Sequence, residues 1–190
     1  LDPANAPAFV SAADVVLDCA DTFAASLTLS DTCRDTGTPL ITASALALAG
    51  YVAGCCATAP SLRAIFPDLP ERGATCAIAG VMGPVVGAIG ALQAQMALSV
   101  LLRLSPSPLG QLIRFDAASW RMAGFRFDAA PEPDTPLPFI ARSQIRANDL
   151  LIDLRTEAAP FCGDARHVPP TAMAAFTPPG GTRVVLACTT

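Results

Sequence analysis

The sequence predicts an α/β fold: a sheet opening with parallel strands and carrying helices on its faces. Three observations predict it. Residues 13–18 form an apolar run with two valines that ends at a carboxylate, Asp18. A helical segment follows, headed by Asp21 and Thr22 and closed by Gly37. A second apolar run begins at Pro39. Strand, helix and strand at this spacing make a βαβ unit, which pairs its strands in parallel.

The elements follow in order. The first strand is expected over residues 13–18, because β-branched residues suit a pleated, buried surface. The helix is expected from Asp21 and Thr22, whose oxygens accept the free N–H groups of a first turn, to about Thr36. Gly37 tolerates the left-handed conformation that ends a helix. Pro39 to Ala43 reads as the next strand, and the small-residue-rich stretch 45–59 as an antiparallel pair. Residues 60–72 contain three prolines and read as a loop. The long apolar helix comes next, ending near Leu104 at the turn over Ser105 to Pro108. Gln111–Asp116 and Arg121–Phe127 alternate like the strands of a hairpin. Residues 129–138 hold four prolines without periodicity and read as a linker. Beyond it a short helix is expected over 140–149, then strands at 150–153 and 183–188. This gives a first domain at 1–128, a linker at 129–138 and an incomplete second domain at 139–190.

The chain has 190 residues, 52% of them hydrophobic, which is ample for a core. Its net charge of −4 argues against a nucleic-acid reader, which needs a basic stripe, whereas its lack of lysine reflects biased codon usage rather than function. Seven cysteines, none in a CxxC pair, fit free thiols in a reducing cytoplasm better than a disulfide framework. The first residues lack the basic and apolar regions of a secretory signal, and the absence of an initial methionine suggests a fragment or a processed product.

Residues 73–102 carry no charge, and a run of about 20 apolar residues is long enough to cross a bilayer. Gln93, Gln95 and Pro84 within it, and the lack of basic flanks, favour a helix buried against a sheet instead. Gly80, Gly83, Gly87 and Gly90 along it are read as sites of close packing. Cys76 is expected at the entrance of this helix, where the positive end of the helix dipole favours a nucleophilic thiolate; the alternative is a small buried apolar residue. Asp18 and Asp21 fall at the carboxyl edge of a parallel strand, where open α/β sheets place their ligands. A carboxylate there can hold magnesium bridging nucleotide phosphates, or Asp21 can simply cap the helix. Cys188 ends the last apolar strand, a placement suited to an anion-stabilising loop. His167, the single histidine, has no second ligand at metal spacing and reads as structural.

Four blocks add a resemblance. DVVLDCADTFAAS, TPLITASALALAG, IFPDLPERGATCAIAGVMGPVVGAIGALQAQMAL and QLIRFDAASWRM resemble, in order and spacing, the second half of the ThiF/MoeB/HesA adenylyltransferases, bacterial relatives of ubiquitin-activating enzymes. The resemblance implies a Rossmann-like mixed or parallel sheet with helices on both faces. It implies an enzyme that uses ATP and Mg2+ to adenylylate the C-terminal glycine of a ubiquitin-like sulfur-carrier protein of the ThiS or MoaD type. The adenylate then receives sulfur for thiamine or molybdopterin synthesis. Asp21 matches the aspartate at magnesium and the ATP phosphates, and Cys76 the cysteine that attacks the adenylate or forms a covalent sulfur link in some members. A homodimer is implied, with no nucleic acid or membrane as partner. The stretches LIDLR, ARHVPP and VVLAC resemble a rhodanese-like domain, in which Cys188 carries a persulfide and a cysteine desulfurase is a candidate donor.

The departures from the family pattern are equally specific. Its glycine-rich phosphate loop, arginine finger and lysine are expected to precede residue 1, so this chain alone is not expected to bind ATP tightly. The DN-x-x-x-R pattern reads Asp21-Thr22-Phe23-Ala24-Ala25-Ser26, without the Asn and the Arg. The first zinc CxxC falls on Ser61-Leu62-Arg63-Ala64, and the second pair, expected near 125–135, is missing. No zinc is therefore expected. The losses motivate the alternative of a non-catalytic adaptor that binds a carrier or dimerises.

Overall fold

Val16, Leu17 and Asp18 form β1 and pair in parallel with Leu40, Ile41 and Thr42 of β2 (Leu40–Leu46). The helix between them, α2 (Phe23–Thr36), begins at Thr22, whose Oγ1 accepts from the Ala25 N–H at 3.3 Å. It ends at Gly37, with φ of 71°. The βαβ unit is therefore as the spacing predicts, except that β1 is shorter. The computed structural model describes residues 1–68, 79–155 and 165–188. They fall into two units, Leu1–Phe139 and Ile140–Thr190.

In the first unit β2 runs straight into an antiparallel partner, β3 (Ala49–Cys55). The antiparallel pair expected within 45–59 is thus made by residues 40–46 with 49–55, through a turn at Ala47 and Leu48. β4 (Gln111–Asp116) and β5 (Arg121–Arg126) complete a mixed sheet in the order β1-β2-β3-β4-β5. Alternation along β2 and β3 divides the core. Leu40, Ala53 and Cys55 pack on one face with Cys33 of α2 and Val10 of α1 (Ala6–Val10). Ile41 and Val52 pack on the other face, with Met96 and Ala97.

Met96 and Ala97 belong to the long apolar helix, which after the short α3 (Leu62–Ile65) is α4 (Gly83–Leu101). By length and composition α4 could cross a membrane. One face of it instead covers β2 and β3, through Val85, Ile89, Gln93 and Met96. Leu98 and Leu101 on it remain half exposed. A Cβ added at Gly83, Gly87 or Gly90 would meet open space, so the close packing expected of these glycines is not made against the described residues. Gly50 of β3 is the glycine that matters for packing: a Cβ there would sit 2.7 Å from Ile89 Cγ1.

The stretch 129–138 has no regular structure and is tied to this unit. Glu132 reaches Ser61, and the Leu137 carbonyl accepts from Arg63.

The second unit holds three parallel strands in the order β7-β6-β8: β6 (Leu150–Asp153), β7 (Arg166–His167) and β8 (Val184–Ala187). The helix expected over 140–149 is only a 3-10 turn, Arg142–Gln144. Asp149 instead closes a loop, accepting from the Arg146 N–H at 2.7 Å and from Arg183 Nε at 2.8 Å.

Candidate active site

The carboxyl ends of β1 and β2 bring together the polar groups of the first unit. Asp18, fully buried, ends β1 and shapes the turn that follows. Its Oδ1 accepts from the Ala20 N–H at 3.0 Å and its Oδ2 from Thr42 Oγ1 at 2.8 Å. Thr42 is on β2, opposite Asp18 in the parallel register, so one pair of side chains locks the two strand ends together.

Gln93 of α4 adds a third anchor. Its side-chain amide is buried and donates to the Asp18 carbonyl at 2.7 Å and to the Ile41 carbonyl at 2.9 Å. Its Oε1 lies 3.6 Å from Cys19 Sγ. The sequence singles out Gln93 only as a polar interruption of an apolar run. A glutamine on a helix that must cover a sheet was the available sign that it meets strand-end carbonyls.

Asp21 emerges from this turn, exposed. The capping alternative does not hold for it, because Thr22 caps α2. Its carboxylate has no hydrogen-bond or ion-pair partner among the described residues, so both oxygens are available to a cation. A hard cation such as magnesium takes oxygen ligands of this kind, and the donor chemistry fits.

The other expected site residues stand elsewhere. Cys76 lies outside the described residues. The described part of the apolar run enters its long helix at Gly83. Cys188 follows β8 in the second unit and is exposed. His167 Nε2 lies 2.8 Å from the Arg155 carbonyl, a structural contact. Cys33, Cys55 and Cys56 are buried. Burial and the neighbouring Asp18 push the Cys33 thiol up to about 12, and burial does the same for Cys56. These thiols are kept protonated and unreactive. Beyond the site, the hairpin β4–β5 exposes Trp120 at its turn and Met122 and Phe125 on opposite faces of β5.

Residues 1–137 match the ThiF family. The chain is 41% identical over 127 residues to the sulfur carrier protein ThiS adenylyltransferase of Escherichia coli, covering 62% of this chain and 48% of that protein. It is 32% identical over 142 residues to the SAMP-activating enzyme E1 of Haloferax volcanii, covering 72% of this chain and 51% of that protein. It is 40% identical over 125 residues to the adenylyltransferase and sulfurtransferase MOCS3 of Bos taurus, covering 62% and 26%. The chain thus spans about half the length, or less, of these curated relatives. Among solved structures, E. coli MccB with MccA-N7isoASN superposes with a TM-score of 0.54 at 14% identity, covering 64% of this chain and 40% of that one. That likeness concerns the fold alone. With the family matched over 1–137, most of the chain, the protein belongs to the ThiF family.

Proposed function

We propose that the protein of which this chain is part adenylylates the C-terminal glycine of a ubiquitin-like sulfur-carrier protein. The observation that carries this reading is the exposed Asp21 carboxylate, without a partner among the described residues, just beyond the carboxyl edge of β1 that Asp18, Thr42 and Gln93 anchor. It is supported by relatives named as adenylyltransferases and by one named as a SAMP-activating enzyme.

Bound MgATP supplies an electrophilic α-phosphorus and a pyrophosphate leaving group. This chain's part is to position and to balance charge. Asp21 would hold Mg2+, and Asp18, which orients the turn through Ala20, would keep Asp21 in place. The end of the β4–β5 hairpin, with the exposed Trp120 at its turn, is the surface we assign to the carrier protein, because a folded partner covers apolar area. A homodimer belongs to the same reading, and the exposed Leu98 and Leu101 of α4 suit it. A cytoplasmic location belongs to it as well. The attack on the adenylate we assign to Cys76, whose thiolate would form a thioester with the carrier's C-terminal carbonyl as AMP leaves.

For the second unit we propose a rhodanese-like sulfur carrier. The exposed Cys188, directly after the parallel strand β8, would carry a persulfide supplied by a cysteine desulfurase.

A specific observation favours one other reading. Thr22, where the family pattern has Asn, is committed to capping α2, and Ser26 replaces the pattern's Arg. Both fit an adaptor that binds a carrier without activating it. ATP–pyrophosphate exchange by the full-length protein separates the two. Exchange that depends on a ThiS- or MoaD-type carrier is expected, and a folded, carrier-binding protein without exchange would establish the adaptor.

A further inference from the structure

The family pattern places its two structural-zinc ligand pairs at Ser61–Ala64 and near residues 125–135. The donor set here does not fit zinc. Ser61 and Ala64 offer no thiolate, and 125–135 contains neither Cys nor His. Among the described residues no three metal-ligating side chains cluster.

The two stretches nevertheless meet. The buried Ser61 donates its N–H to Glu132 Oε1 and its hydroxyl to Glu132 Oε2, both at 2.6 Å. Arg34 of α2 stands 3.5 Å from the same carboxylate. Two residues on, Arg63 is gripped by Asp31 of α2 at 2.6 and 2.8 Å, and donates to the Leu137 carbonyl at 3.2 Å. The strap 129–138 is therefore stitched twice to the start of α3.

We propose that Glu132 is the cross-link of this chain, a carboxylate clip standing where relatives of the family pattern place a metal. Two short, charge-assisted bonds from one buried serine give the fixed geometry that a shared ion would otherwise impose. The consequence differs from that of a metal site, whose folding energy is lost to a chelator. Here the junction is independent of metal and depends on one carboxylate.

The test uses the full-length protein, following thermal unfolding and hydrogen exchange at the Ser61 amide, with and without EDTA. Glu132→Ala is expected to lower Tm by about 5 °C or more and to remove protection at Ser61. Ser61→Ala is expected to lower Tm similarly, and the double variant to fall no further than the worse single one. EDTA should leave Ser61 protected in the wild type. Should Glu132→Ala not fold, Glu132→Gln, which keeps one acceptor, is expected to fall between it and the wild type. Protection at Ser61 that EDTA abolishes, or that Glu132→Ala and Glu132→Gln leave intact, would overturn the proposal.

Discussion

Gln93 shows how much one side chain decides at the strand ends. It sits on an apolar helix yet spends its amide on two backbone carbonyls of β1 and β2. Replacing it with leucine keeps the volume and removes both donors inside a buried site. Gln93→Leu is expected to cost about 2 kcal/mol in denaturant unfolding, the penalty of stripping buried acceptors of their partner. A loss under 0.5 kcal/mol, within the range of an ordinary surface change, would contradict the anchoring role. The cysteines separate equally well by environment. Cys19 and Cys188 are exposed, whereas Cys33, Cys55 and Cys56 are enclosed. Maleimide labelling of the native protein, mapped by mass spectrometry, should therefore modify Cys19 and Cys188 first. Labelling of Cys33, Cys55 and Cys56 should wait for unfolding. Sequence alone does not sort them, since burial depends on which strand face a residue takes in the final register.

Among elements, legibility followed local signals. α2 was readable in both its ends, apart from the choice of Asp21 or Thr22 as cap, because capping chemistry acts within a few positions. The β4–β5 hairpin was readable from alternation. The 140–149 segment misled, since its composition suits a helix while a tertiary contact decides the outcome. Arg183, over 30 positions away, takes Asp149 and folds the segment into a loop. Before α4, Val81 bridges to Ala47 at the sheet, and the long helix starts at Gly83. The Arg183–Asp149 pair carries a pH signature. Bonding to Arg183 holds the Asp149 carboxyl down at about 2, below the ordinary value near 3.9. A depressed carboxyl stabilises the fold above its unfolded value, and that contribution fades as pH falls from about 4 towards 2. In an NMR titration Asp149 should titrate near 2 in the wild type and move back towards 4 in Arg183→Met. An unchanged value in the variant would assign the shift to another cause.

At the scale of the whole molecule, a family-matched sheet with helices on both faces presents Asp21 at its carboxyl edge, without a partner among the described residues. The four sequence blocks foretold the family. They did not foretell the Gln93 anchor or the Glu132 clip, because each joins residues more than 50 positions apart and neither belongs to a motif. The central claim is that Asp21 serves MgATP in carrier activation. The measurement that tests it most directly is carrier-dependent ATP–pyrophosphate exchange by the full-length protein, wild type against Asp21→Ala. Exchange is expected in the wild type, with a loss of at least about 100-fold in the variant, of the order seen when a preorganised electrostatic contact to a reacting group is removed. Equal exchange by a folded Asp21→Ala variant would contradict that claim.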